Sequence, residues 1–376
     1  MMSARFLTVV LERAFNMRDG FGREIDYMRI SVIDSCNLNC YYCNPCDNNE
    51  HCHALNILSV KEVLCIVRAA TRLGIKHFRL TGGEPLLHPQ LDEMVLQIKK
   101  IPGVSSVSLT TNAVLLVQHA KWLKEAGIDS INVSLDTIDA SEYERITKKP
   151  LLEEVKHGIN AAIECGIRVK INVVLTPQTD VVALTRYVAK KGTDIRFIEM
   201  MPVGEGHTNG VEPYKKVIGT LSKLYGEPCR INTEKTKEIN SGNDKRKIPD
   251  NGPAEYYIFP ELGIRVGLIQ AIHGKFCDTC NRIRVTADCR LMPCLGSSVT
   301  MDLVPDSWDF ADDVEKDFAI VRALRAAIKA KPRCHNFNDN AVTYTKTTET
   351  KTTETKTTEI EAAEVNAARN MSRIGG

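Results

Sequence analysis

Residues 28–46 read Met28-Arg-Ile-Ser-Val-Ile-Asp-Ser-Cys36-Asn-Leu-Asn-Cys40-Tyr-Tyr-Cys43-Asn-Pro-Cys46. A β-type apolar run, Ile30 to Ile33, delivers a loop that carries Cys36, Cys40 and Cys43. Three thiolates from one short loop can wrap a compact iron–sulfur cube, whose four corners leave one iron without a local protein ligand. An open iron is a place where chemistry can happen, as an open position is in catalytic metal sites generally. Zinc is the alternative occupant, although zinc sites more often pair two CxxC or CxxH knuckles.

The 376 residues are enough for two domains and a sizeable core. A net charge of +2 gives no case for a nucleic-acid partner or an anionic membrane surface. Thirteen cysteines is an odd and high count, and their clustering reads as metal ligation in a reducing compartment, not as a disulfide framework. The apolar stretch Phe6 to Leu11, broken by Glu12 and Arg13, is too short for a membrane span and lacks a cleavage-like site. The expected location is the cytoplasm or another reducing compartment, with no membrane association.

From Met28 to Met201 strand-like and helix-like segments alternate. Strands are expected over 28–34, 76–81, 104–111, 128–135, 167–174 and 194–200. Helical periodicity marks 60–72, 91–100, 114–126, 151–165 and 181–190, and Gly74, Gly127, Gly166 and Gly192 fall where C-terminal caps belong. Six βα units with short loops imply a parallel sheet with right-handed crossovers, too few for a full barrel of eight. The expected fold is therefore α/β, a partial (β/α)6 TIM-like barrel with its chemistry at the carboxyl ends of the strands. After about residue 226 the chain turns to loop (Glu227 to Pro253), then short strands near Tyr256 and Ile264 and a helix over 315–329, a smaller α+β domain. Residues 344–358 repeat a Thr-Lys-Thr-Thr-Glu unit and read as a disordered linker. The expected division is a barrel over 1–225, a C-terminal domain over 226–340, a linker over 341–370 and a Gly-Gly tail over 371–376.

The second strand runs into Thr81-Gly82-Gly83-Glu84-Pro85, where two glycines allow a ligand's polar group close to the backbone. Alone this is equally an ordinary βα turn. Thr110-Thr111-Asn112 and Asn132-Val-Ser134-Leu-Asp136 close the next two strands with polar residues that either reach into the barrel mouth or cap the strand ends. A second cysteine set, Cys277-Asp-Thr-Cys280-Asn-Arg282-Ile-Arg284 with Cys294 beyond, again leaves one ligand position open. A structural zinc completed by Cys289 is the alternative. Arg282 and Arg284 at alternate strand positions share a face, suited to a bidentate grip on an anionic or purine ligand.

With both sets in view the chain resembles the GTP 3′,8-cyclase family (molybdenum cofactor biosynthesis protein A) of radical S-adenosylmethionine (SAM) enzymes, which begin molybdopterin synthesis. The resemblance runs through Asp19-Gly-Phe-Gly-Arg23, Asp26-Tyr27-Met28-Arg29, the cysteine loop, the Gly-Gly-Glu-Pro turn and Arg196-Phe-Ile-Glu199. It continues through Asn251-Gly-Pro-Ala-Glu-Tyr-Tyr257, the second cysteine set, Lys331-Pro332, His335 and Gly375-Gly376. It implies two 4Fe-4S clusters, one on Cys36, Cys40 and Cys43 that binds and cleaves SAM, the other on Cys277, Cys280 and Cys294 facing the guanine of GTP. It assigns Tyr42, Gly82, Gly83, Glu84, Thr110, Asn112, Ser134 and Met201 to SAM, and Arg29, Arg79, Lys170 and Arg196 to the triphosphate. Arg282, Arg284, Gly375 and Gly376 take catalytic places, the arginines also touching GTP. The implied reaction converts GTP to 3′,8-cyclo-7,8-dihydroguanosine 5′-triphosphate through a 5′-deoxyadenosyl radical. It needs a one-electron reductant, passes its product to cyclic pyranopterin monophosphate synthase and is compatible with a homodimer. A peptide-modifying radical SAM enzyme and a non-catalytic iron–sulfur or zinc scaffold are the rival readings. The first would carry more cysteines in its second set, and the second would need neither Gly-Gly-Glu-Pro nor the strand-borne cations.

Three positions depart from the family pattern: His77 replaces a basic residue beside Lys76, while Ala113 and Cys289 each replace a glycine. The Ala113 exchange is expected to tighten the SAM pocket. Cys46, Cys52, His51 and His53 read as loop residues near the first set.

Overall fold

The computed structural model describes residues 17–43, 56–203, 210–231, 252–297, 299–304, 313–335 and 337. The linker, the Gly-Gly tail and the stretch with Cys46, His51, Cys52 and His53 lie outside these residues. Six strands and six helices alternate over the first part: β1 (Tyr27–Ser31), α1 (Val60–Arg72), β2 (His77–Thr81), α2 (Leu91–Lys99), β3 (Ser106–Thr111) and α3 (Leu116–Glu125). They continue as β4 (Ser130–Ser134), α4 (Ala140–Thr147), α5 (Leu152–Glu164), β5 (Val169–Leu175), α6 (Val181–Lys190) and β6 (Asp194–Glu199). The caps are local: a Ser59–Glu62 capping box starts α1. Gly74, Gly127, Gly166 and Gly192, just beyond helix ends, have φ of 85°, 90°, 68° and 63°. Helix α4 was not anticipated from the periodicity.

The rest of the chain extends the same sheet. After α7 (Gly219–Tyr225) come β7 (Cys229–Ile231), β8 (Glu255–Ile258), β9 (Arg265–Ile269), β10 (Arg282–Val285), β11 (Arg290–Met292), β12 (Met301–Asp302) and α8 (Asp313–Lys329). The sheet has twelve strands, in the order β12-β11-β10-β1-β2-β3-β4-β5-β6-β9-β8-β7. β10 lies parallel to β1 and β9 parallel to β6, so two late strands flank the expected six in the same direction. β9 and β10 are not neighbours in the sheet, and the barrel is open between them. Residues 270–281 lead from the carboxyl end of β9 to the amino end of β10, alongside that gap. There Ala271 O accepts a hydrogen bond from the His335 ring at 2.7 Å.

Along each parallel strand one face is apolar and the other polar. Met28 and Ile30, Phe78 and Leu80, Val107 and Leu109, and Ile131 and Val133 are fully buried in the core, the face the surrounding helices cover. The alternate residues point to the barrel axis, and most of them are Arg, Lys, His, Tyr, Ser, Thr and Asn, with Val174 and Ile198 as apolar members. A closed barrel of this type fills its interior with branched aliphatic side chains. Here the interior is a cavity. Among the described residues no helix is long and apolar enough to cross a membrane.

Ala113 and Cys289 have φ of 66° and 59°. Both occupy left-handed backbone, which costs a residue with a Cβ about 1–2 kcal/mol and glycine almost nothing. Ala113 is fully buried and does not line the cavity, so it does not tighten the pocket as expected. Its carbonyl instead packs against α5, where a Cβ at Gly158 would lie 2.3 Å from it. Ala113→Gly is expected to raise stability by about 0.5–1 kcal/mol, the relieved strain less the added freedom of the unfolded chain. Urea unfolding of the two proteins side by side measures it.

Candidate active site

The loop bearing Cys36, Cys40 and Cys43 leaves the carboxyl end of β1 and is anchored from three sides. Asn39 N and Tyr41 N donate to the carbonyls of Thr147 and Ile146, at 3.0 and 3.1 Å, where α4 ends. The Tyr42 hydroxyl donates to Asp136 Oδ2 at 2.5 Å, while Asp136 Oδ1 accepts from Val174 N at 2.7 Å. From the third side, Gly83 N and Glu84 N each donate at 2.8 Å to the carbonyls of Ile33 and Ser35. A Cβ on Gly82 would lie 2.3 Å from Ile33 O, and one on Gly83 2.1 Å from Ser35 O. The two glycines are therefore required by the approach of the cysteine loop itself, a reason beyond the ligand approach expected from the sequence. Gly83→Ala is expected to push the backbone beside Cys36 aside and to cut the iron held after anaerobic reconstitution by at least half. Wild-type iron in that variant would contradict it.

Glu84 is buried and accepts hydrogen bonds from Thr111 Oγ1 at 2.6 Å and Asn112 N at 2.7 Å. It thereby couples the Gly-Gly turn to the end of β3. Asn112 Nδ2 in turn lies 2.8 Å from Asn37 Oδ1 and 3.8 Å from Cys36 Sγ. Burial pushes the Cys36 thiol up to about 11. Cys40 is raised further, by burial first and then by the nearby Cys43, Asp136 and Cys36. Three thiols within electrostatic reach of one another, with Cys36 and Cys40 in a place that resists their ionisation, suit a cationic iron cluster that takes up the charge.

The second cysteine set lies at the opposite end of the barrel. Arg282, the first residue of β10, is in register with Tyr27, the first of β1, so Cys277 and Cys280 sit where the strands begin. β11 returns antiparallel and brings Cys294 back to that end. Cys277 is raised by burial and by Cys294, Cys280 and Cys334. At Cys280 burial is opposed and outweighed, chiefly by Arg282 and Lys331, and the thiol falls to about 6. The Arg282 guanidinium stacks over the Phe276 ring at 4.9 Å. Cys289 sits at the tip of the β10–β11 turn, away from the other three, and is not placed to complete a zinc site with them. Among the described residues no group of three His, Cys, Asp or Glu side chains is arranged to hold a single metal ion. Arg23, paired with Asp19, braces this end by donating to Cys277 O at 2.7 Å, Arg333 O at 2.9 Å and Pro332 O at 2.6 Å.

Between the two ends runs one cavity of about 580 Å³. Cys36, Cys40, Cys43, Tyr42, Gly82, Gly83, Glu84, Thr110, Asn112, Ser134 and Met201 line it towards the carboxyl end. Cys277, Cys280, Cys294, Arg282 and Arg284 line the other end, with Arg29, Arg79, Lys170 and Arg196 between. Only Gly375 and Gly376, of the residues expected at the site, lie outside the described chain.

The register places Arg284, Arg29 and Arg79 side by side on adjacent strands, about 4.8 Å apart. Burial, then Arg284 and Arg79, hold the Arg29 guanidinium well below its ordinary value, and burial and Arg282 bring Arg284 to about 10. The Tyr27 phenol is lowered although burial alone would raise it, because Arg79 and Arg29 outweigh burial. Arg196 Nε donates to Asn172 Oδ1 at 2.9 Å. Arg196 Nη2 and Asn132 Oδ1 are buried without a hydrogen-bond partner among the described residues. Gly267, beside Arg196 on β9, makes room for it, since a Cβ there would lie 2.8 Å from Arg196 Cγ. A crowd of buried and half-buried cations with an orphaned donor and acceptor calls for a polyanionic ligand that also carries hydrogen-bonding edges.

His77 lines the cavity and bonds Ser106 Oγ at 2.8 Å; burial lowers its pKa. Lys76, just before β2, lies 3.9 Å from Asp26 and does not line the cavity, so it does not replace the missing cation there. Tyr27, Ser108, Asn132, Asn172 and Asp136 also line the cavity and were not assigned from the sequence as ligand-contacting residues. The period of two, followed outward from Arg29, Thr110, Ser134 and Lys170, points to the first four of them.

An incomplete parallel barrel with a three-cysteine loop after β1 and a glycine turn braced against it defines a radical SAM enzyme. The family described as Radical SAM superfamily matches residues 30–183, and that described as Molybdenum Cofactor Synthesis C matches residues 193–337. GTP 3′,8-cyclase of Clostridium perfringens (strain SM101 / Type A) is 35% identical over 324 residues, 85% of this chain and 95% of that one. GTP 3′,8-cyclase of Pelotomaculum thermopropionicum is 36% identical over 327 residues, again 85% of this chain and 95% of the other. The chain belongs to the GTP 3′,8-cyclase family. Among solved structures, Streptococcus suis SuiB bound to the precursor peptide SuiA superposes with a TM-score of 0.53 at 14% identity. That match covers 86% of this chain and 69% of SuiB, a likeness of fold alone.

Proposed function

We propose that this chain converts GTP to 3′,8-cyclo-7,8-dihydroguanosine 5′-triphosphate, the first step of molybdenum-cofactor biosynthesis. The observation that carries the reading is one cavity with a cysteine set at each end and a row of cations between them, Lys170 and Arg196 buried and Arg29 and Arg79 half-buried. Cys36, Cys40 and Cys43 would hold a 4Fe-4S cluster, and Tyr42, Gly82, Gly83, Glu84, Thr110, Asn112, Ser134 and Met201 would border bound SAM. When bound, cluster and SAM supply a 5′-deoxyadenosyl radical able to remove a ribose hydrogen. Cys277, Cys280 and Cys294 would hold a second 4Fe-4S cluster at the opposite end, beside Arg282 and Arg284.

The chain's own work is binding, orientation and exclusion of water. Arg29, Arg79, Lys170 and Arg196 would neutralise the triphosphate, and the free Arg196 Nη2 would donate to it. Arg282 and Arg284 would steer the base end, and Gly375 and Gly376, outside the described residues, would serve the same reaction. A one-electron reductant in a reducing compartment and transfer of product to cyclic pyranopterin monophosphate synthase complete the reading. An anaerobic assay with GTP, SAM and dithionite tests it: cyclised nucleotide and 5′-deoxyadenosine should appear together. Formation of 5′-deoxyadenosine unaffected by GTP, with no cyclised product, would refute the reading.

A further inference from the structure

We propose that Lys331 is a positioning residue for the second cysteine set. Its buried ammonium ties together the two chain arms that carry Cys280 and Cys294 and places a fixed positive charge beside their sulfurs. The Lys-Pro pair stands out in the sequence, yet none of the roles above uses it. Lys331 is 3% exposed. Its Nζ donates to Arg282 O and to Pro293 O, both at 2.8 Å. Arg282 follows Cys280 by two residues and Pro293 immediately precedes Cys294, so one ammonium sets the distance between the arms.

The lysine is itself held in place. α8 ends just before it, with Ile320, Leu324 and Ile328 fully buried, and Pro332 prevents the helix from continuing. Arg23 then fixes the carbonyls of Pro332 and Arg333. A buried ammonium is costly unless its protons and its charge are both satisfied. Two carbonyls take two protons, but among the described residues no carboxylate pairs with Lys331. What it faces at this end of the cavity is sulfur: Cys277, Cys280 and Cys294 line the same wall as Lys331. An anionic thiolate-ligated cluster is the counter-ion that this end of the barrel lacks.

The inference rests on the reading of Cys277, Cys280 and Cys294 as a second cluster site. Its test compares wild type, Lys331→Met and Lys331→Arg after anaerobic reconstitution, by iron content and by redox titration of the paramagnetic signals. Wild type should hold about eight irons, four per cluster. Lys331→Met should lose up to half of that iron, with the midpoint of any second cluster it retains shifted negative, because a neighbouring cation favours the reduced cluster. Lys331→Arg, which keeps the charge, should restore most of the iron and a near-native midpoint. 5′-Deoxyadenosine formation by the first set reports that each variant is folded. Wild-type iron and midpoint in Lys331→Met would overturn the proposal. Should Lys331→Met fail to fold, Lys331→Arg decides: a retained second cluster with a near-native midpoint supports the role, and its loss overturns it. Only about four irons in the wild type would instead refute the second cluster itself.

Discussion

Cys36→Ser is expected to hold about half of the wild-type iron after anaerobic reconstitution, given two four-iron clusters, and to form no 5′-deoxyadenosine. Three local thiolates are the minimum that leaves one iron open, and two cannot hold the same cube. The loss should be chemical and not a collapse of the fold. Asn39 and Tyr41 still rest on the end of α4, and Tyr42 still bonds Asp136. Thermal unfolding of the metal-free proteins should therefore coincide. Cys280→Ser, at the other end of the cavity, should keep some uncoupled SAM cleavage while losing cyclised GTP. If Cys36→Ser still produces 5′-deoxyadenosine, the first cluster has been assigned to the wrong residues.

Arg29→Met should weaken GTP binding and stabilise the protein without ligand. Arg29 stands between Arg284 and Arg79 on adjacent strands, half-buried, with both neighbours disfavouring its charge. A charge-assisted hydrogen bond to phosphate contributes about 1.5–3 kcal/mol, so the loss should be roughly 10- to 100-fold in affinity. Without a polyanion the same charge is repelled by its neighbours and partly withdrawn from water, and an unbranched apolar side chain should add about 1 kcal/mol of stability. Calorimetric titration with GTP and urea unfolding of the apo proteins measure the two halves. A fall in both affinity and stability would mean that Arg29 is a structural residue and would sink the anion-site argument.

How far the sequence can be read follows from the range of the interactions involved. The strands and helices of the βα units came from local periodicity, and the four C-cap glycines from the requirement for positive φ. Arg29, Arg79 and Arg196 were legible because charge within a strand run is costly unless it is used. Helix α4 was missed: its eight residues carry five charged or hydroxyl side chains before Ile146, too short and polar a pattern to stand out. Yet its terminal carbonyls carry the cysteine loop. The reason for Gly82 and Gly83 was only partly legible, since the backbone that crowds them comes from the loop after another strand.

By itself the sequence determined the βα alternation, the two cysteine sets, and which strand positions carry cations. These depend on residue type and on spacing along the chain, which act over a few residues. Only the tertiary structure decided that β9 and β10 flank the six strands, so that the two cysteine sets face each other along one cavity. It also decided that Arg284, Arg29 and Arg79 form a continuous row and that Lys331 joins two arms of the chain. Those arrangements depend on strand register and on contacts between residues tens to hundreds of positions apart, where cooperative burial of the sheet against its helices selects one pairing from many.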